Sequence, residues 1–326
     1  MHSATKAGGW LMGMSLEVRC LCVISFISAV GFGIQSPAIP VFGQKLGVGT
    51  TAVGLIIAAF PLARLLMAWP SGVLTDRFGE YRLVVFGLLL MAAASVTAAF
   101  STSAHELMFY RGLCGVGSVL YSISAMSLLL RTVDPNVRGK ATGLFMGAYY
   151  IGTISGPAIG SLFVDMSVRL PFIIYGAGAG AAGLVGAVLL RNQQISQAEA
   201  KADGLSTRVL DAIKQPVYRA ALAGNFAIGF AVYGVRVSVL PLFLLTVLGQ
   251  PAKWIGIGLT VGALAQTIIL PKSGVWADRY GVKSTLLVGL GCVLISFLII
   301  QCGGSLHTYL VGLALMGIGS AFCSTS

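Results

Sequence analysis

An all-α polytopic membrane protein is predicted by three observations. Of 326 residues, 56% are hydrophobic and only 10% charged, whereas a soluble domain carries about 25% charge, so the chain lacks the polar surface to face water all round. Apolar runs of about 20 residues, enough to cross a hydrocarbon core of roughly 30 Å, recur along nearly the whole length. The 43 glycines are small residues of the kind that let spanning helices approach closely.

The runs place ten spans at 20–42, 51–75, 82–101, 105–130, 141–165, 170–191, 218–248, 252–277, 285–303 and 306–326. Residues 1–19 are mixed and lack a cleavable leader pattern, and the first run is long enough to stay as a span. The second and eighth spans each end in Asp-Arg-aromatic-Gly, at Asp76 and Asp278. Gly79 suits the left-handed conformation of a tight helix exit. The fifth span carries Gly143, Gly147, Gly152, Gly156 and Gly160 around Pro157, a face for close packing with a bend in it. The seventh holds Arg236 beside Pro241, which loosens a helix locally. One long polar connection, "RNQQISQAEAKADGLSTRVLDAIKQPVYR", runs from Arg191 to Arg219. It divides the chain into a six-helix half, 1–191, a central loop, 192–217, and a four-helix half, 218–326.

The net charge of +11 sits in short loops between spans, with no basic tract and no aromatic-basic interleaving, so it reads as topology and not as a nucleic-acid surface. With the N-terminus inside, fifteen Lys and Arg fall on the inner side, against Lys45, Arg169 and Lys253 outside. The bias places the N-terminus, the long loop and both Asp-Arg turns in the cytoplasm. Cys20-x-Cys22 is too close for metal or redox spacing. No phosphate loop, metal-spaced His/Cys set or nucleophile elbow is present. The chain is therefore expected to need no cofactor and to be no enzyme.

"SGVLTDRFGEYRL" and "SGVWADRYGVKST" lie 202 residues apart. At the same offset Gly54 matches Gly256, Gly87 matches Gly289 and His105 matches His307. Gly115, Gly117 and Ser118 match Gly317, Gly319 and Ser320. Parallel repeats of six spans joined by a cytoplasmic loop are an architecture of rocking transporters.

The motifs resemble those of the major facilitator superfamily, of its twelve-span drug-efflux branch. "GVLTDRFGEYR" (Gly72 to Arg82) resembles the loop signature Gly-x-Leu-Ala-Asp-Arg-x-Gly-Arg-Lys. "RGLCGVGS" (Arg111 to Ser118) resembles the fourth-span Arg-x-x-Gln-Gly-x-Gly, and "GTISGPAIGS" (Gly152 to Ser161) the fifth-span Gly-x-x-x-Gly-Pro-x-x-Gly-Gly. Glu80 and Tyr81 replace the basic pair of the first signature, Cys114 the Gln of the second, and Ser161 the final Gly of the third. The chain stops at Ser326, before the two spans that complete the superfamily's fold.

The resemblance implies gating roles for Gly72, Asp76, Arg77 and Gly79, for Asp278 and Arg279 in the second turn, and for Gly152, Gly156, Pro157 and Gly160. It makes the absent eleventh span the partner both of Asp76 and of the fifth span. It also ties Arg111 to coupling. Arg64, Arg111 and Arg236 lie inside apolar runs, where a cation costs at least ~2.5–3.5 kcal/mol and is a coupling or cavity candidate. Gln35, Tyr121, Tyr149, Asn225 and Tyr233 are candidates to line a substrate cavity by position and polarity. None of the ten acids falls at mid-membrane, so the desolvated carboxylate that a proton-coupled carrier uses is not evident.

The expected activity is secondary transport of small molecules by alternating access, as multidrug-type efflux across the plasma or inner membrane, with protons as the candidate coupling ion. Two other readings stay open: an organic-anion uptake or exchange carrier, favoured if the three arginines share a cavity without an acid, and a truncated membrane protein that does not transport.

Overall fold

The computed structural model describes residues 15–134, 137–191, 219, 226 and 229–324, and among these it holds helices and no strand. The first span is α1 (Leu16–Gln35) with α2 (Ala38–Lys45), broken at Ser36-Pro37, where the Ser36 amide donates to the Gly33 carbonyl at 3.1 Å. The next five spans are α3 (Thr50–Phe78), α4 (Glu80–Ala99), α5 (Ala104–Thr132), α6 (Arg138–Val164) and α7 (Leu170–Leu189). The seventh is a π-helical stretch, α8 (Phe230–Val239), running into α9 (Leu240–Thr246), and α10 (Lys253–Tyr280), α11 (Val282–Gly303) and α12 (Leu306–Ser324) follow.

Among the described residues, eight helices are long and apolar enough to cross a membrane. Ten were expected. α6 has the length, at 27 residues, but its glycines and tyrosines keep it out of that set. Of the seventh span the described apolar part is Gly234–Thr246. Local signals place the ends. Ser103 caps α5 by accepting from the Glu106 amide at 3.3 Å, and the Glu106 carboxylate returns to the Thr102 amide at 2.8 Å, a reciprocal cap. Pro241 has no amide to give a regular helix, and the ten-residue π stretch with Arg236 in it lies directly before it.

α1 packs on α6 and α7, α5 on α3 and α4, and α4 on α7; in the second half α12 packs on α10 and α11. The halves meet where α6 lies on α10 and α3 on α8. The repeat survives in the contacts. A Cβ on Gly87 would stand 2.6 Å from the Gly117 carbonyl oxygen, and one on Gly289 would stand 2.8 Å from that of Gly319. Such backbone-to-backbone approaches admit glycine alone. The two Asp-Arg turns also match, with φ of +87° at Gly79 and +84° at Gly281. That region disfavours a Cβ and explains both glycines.

The surface is apolar in the manner of a chain solvated by lipid. Leu65, Leu66 and Trp69 of α3 and Val188 of α7 are 68–75% exposed, a pattern that a water-soluble protein would bury. One cluster of buried side chains ties the α2 end of the bundle together: Phe42, Ile56, Phe172 and Leu242 belong to it, so both halves contribute.

Candidate functional site

Two adjoining cavities lie between the helices. The larger, about 390 Å³, is built from single helical faces: Ser25, Ser28 and Phe32 of α1, Phe60, Pro61 and Arg64 of α3, Ser118, Tyr121, Ser122 and Met126 of α5, and Phe145, Met146 and Tyr149 of α6, with Met91 and Tyr175 completing it. The spacing of three and four residues on α1 and α5 is what one side of a helix presents. The smaller, about 130 Å³, joins the halves: Gly33, Ser36, Tyr150, Thr153 and Pro157 face Arg236, Leu259, Gln266 and Thr267 across it. Phe32 and Tyr149 line both. Among the described residues neither lining contains an Asp or a Glu.

Of the three intramembrane arginines, Arg64 lines the larger cavity and Arg236 the smaller. Arg64 donates from Nη1 to Ser118 Oγ and from Nη2 to Ser122 Oγ at 3.5 Å. Arg111 takes a different course. It is 3% exposed, and its Nη1 donates to Gln35 Oε1 at 2.9 Å. Gln35 Nε2 donates to Ser95 Oγ at 2.5 Å, and that hydroxyl donates to the Phe172 carbonyl at 2.8 Å. Four helices, α5, α1, α4 and α7, are thus laced by one buried chain of hydrogen bonds. Neither cavity is lined by Arg111 or Gln35, which corrects the expectation that both contribute to a substrate cavity. Tyr121 and Tyr149 do line it. Asn225 lies outside the described residues, as do the side chains of Tyr233 and Asp278.

The glycines of the fifth span are also reassigned. A Cβ on Gly152 would stand 2.7 Å from that of Ala29, and one on Gly156 would stand 2.5 Å from the Val30 carbonyl oxygen; Gly160 approaches Ile34 in the same way. All three therefore seat α6 on α1 within the first half. Contact with the second half falls to Pro157 and Ser161, against Gly256, and to Ile154, whose carbonyl accepts from Thr260 Oγ1 at 3.4 Å. The partner is thus α10, the eighth span, where the eleventh was expected: glycine spacing identifies a small face but not which neighbour fills it. Towards the Asp76 end, Gly72, Gly143, Gly147 and Gly274 have open space where a Cβ would stand. Asp76 and Arg77 are exposed there, and Asp76 has no ion pair among the described residues. Arg77 and Arg279 each sit 5.5 Å from the ring of the following aromatic residue.

The sequence pattern of the Major Facilitator Superfamily matches residues 21–326. The chain belongs to that superfamily. It is 27% identical over 266 residues to "Multidrug resistance protein 1" of Bacillus subtilis strain 168, covering 80% of this chain and 68% of that one. It is 26% identical over 183 residues to "Quinolone resistance protein NorA" of Staphylococcus aureus strain MRSA252, covering 56% and 47%. The chain therefore matches about half to two thirds of the length of these relatives. In fold it is similar to a bacterial homologue of the human lysosomal transporter Spinster in an inward-facing, unoccupied conformation, with a TM-score of 0.74, 16% identity, and 95% of this chain covered against 73% of that one.

Within this superfamily chain the two departures from the loop signature are both engaged. Glu80 is 3% exposed; its Oε1 accepts from Arg131 Nε at 2.9 Å and from Ser127 Oγ at 3.0 Å. Tyr81 donates to the Ala187 carbonyl at 2.7 Å. α4 is thereby tied to α5 and α7 at the Asp76 end. Sequence reasoning treated Glu80 only as a missing base. Its signal was the substitution itself, an acid at a signature position for Arg.

Proposed function

We propose that the chain is a secondary active transporter that exports small amphipathic molecules by alternating access. The observation that carries the reading is the larger cavity, with aromatic rings, methionines, serines and a single cation between helices of a multi-pass bundle. Its volume is within the range of about 300–1,000 Å³ common for small-molecule sites. On this reading the two halves move about their contact at the Phe42 end, and the open space at the Asp76 end is the entrance from the cytoplasm of a plasma or inner membrane. The loop positions Lys45, Arg169 and Lys253, set against the many Lys and Arg on the other side, support that orientation. The names of the curated relatives, which concern multidrug and quinolone resistance, favour export over uptake.

The test is flux in reconstituted liposomes, with and without an imposed pH gradient, beside protein-free liposomes. Movement of amphipathic compounds that requires the protein supports the proposal, and dependence on the gradient would add protons as the coupling ion. Folded protein that moves nothing from a broad panel overturns it.

A further inference from the structure

We propose that the larger cavity is a seat for aromatic organic anions, compounds with a flat apolar ring system and one carboxylate or sulfonate, and that Arg64 is the anchor. This rests on the reading of the chain as a transporter and names its substrate class.

Charge carries the first part of the argument. Arg64 lies at the middle of the 29-residue α3, so its guanidinium sits deep in the bilayer, where a cation calls for a counter-charge. Among the described residues no acid lines either cavity, and the ion pair of Arg131 with Glu80 lies at the Asp76 end. A bound anion supplies the missing charge. A lipophilic cation would meet Arg64 with nothing to offset it, and that repulsion is the selective element.

Donor geometry carries the second. A guanidinium has five N–H donors in a rigid fork, and Arg64 directs two of them at the Ser118 and Ser122 hydroxyls. The hydroxyls fix the plane of the group without neutralising it. The remaining donors match the paired oxygens of a carboxylate or sulfonate.

The walls carry the third. Phe32, Phe60, Phe145 and Tyr149 line the same cavity, and the Phe60 ring centroid is 5.9 Å from the Arg64 guanidinium carbon. Rings at such spacing stack on or edge a flat guest, and the methionines adapt to its outline.

The experiment titrates the purified chain in detergent with three probes of equal shape: naphthoate, naphthylmethanol and naphthylmethylammonium. Naphthoate is expected to bind tightest, by about tenfold over the alcohol, and the ammonium weakest. Arg64→Gln is expected to lower the ratio of naphthoate to alcohol affinity by about tenfold (~1.4 kcal/mol), and Arg64→Lys to restore part of it. Ammonium binding as tight as naphthoate, or a naphthoate-to-alcohol ratio in Arg64→Gln that stays within about twofold of the parent's, overturns the proposal. Liposome flux of the same probes separates it from the transport reading. Naphthoate bound through Arg64 but never moved keeps the anion seat and sinks transport. Alcohol and ammonium moved without any preference for the anion keep transport and sink the seat.

Discussion

Arg64 and Arg111 stand against the same ring, with their guanidinium carbons 5.9 Å and 4.9 Å from the Phe60 centroid, yet their surroundings differ. Arg111 is closed in by Gln35, whose amide hands the chain on through Ser95 to Phe172. Arg64 leans on two hydroxyls and opens on a cavity. A third cation, Arg131, holds a carboxylate. Depth in the membrane alone therefore does not tell an arginine closed in by its neighbours from one that lines a cavity. Access does: Arg64 opens on a cavity, whereas Arg111 is buried, lines neither cavity and gives a donor to Gln35.

The largest effect that this contrast predicts is for Arg111→Ala. It leaves the Gln35 amide without its donor and opens a void among four helices, so unfolding in detergent should be easier by about 2–4 kcal/mol. Adding Gln35→Leu should recover part of the loss, since the orphaned amide goes with it. A midpoint that does not move would place Arg111 beside Arg64 and erase the contrast. Glu80→Gln is intermediate. The Arg131 side chain is 47% exposed and that of Glu80 4%, and an ion pair that solvent reaches from one side contributes about 1 kcal/mol. The loss should be of that size, and adding Arg131→Gln to Glu80→Gln should cost little more, since the pair is already broken. The smallest effect belongs to Arg64→Gln, whose stability should stay within about 0.5 kcal/mol of the parent while ligand selectivity moves. A large destabilisation there would make Arg64 structural after all.

Much of the architecture was legible in the residues, because a repeat constrains geometry twice. The offset of 202 paired Gly87 with Gly289 and Gly117 with Gly319, and in space these are equivalent backbone crossings. The positive φ at Gly79 and Gly281 was likewise written in the two turns. Polarity within apolar runs led to Arg64, Tyr121, Tyr149 and Arg236, all of which line a cavity. It also led to Gln35 and Arg111, which bond each other, since composition records that a polar group is present and not whether another one consumes it. The destination of the fifth span was hidden for a related reason: small spacing prescribes closeness, and several neighbours can be close. Glu80 and Arg131 lie on separate helices with no shared local pattern, so their meeting had to await the fold.

Phe32 and Tyr149 form a partition common to two rooms. Both rooms therefore take part of their shape from the same two rings. The smaller room is walled on its far side by the second half, through Arg236 and α10. An occupant of the larger room is thus separated from the opposite half of the molecule, at this point, by two aromatic side chains.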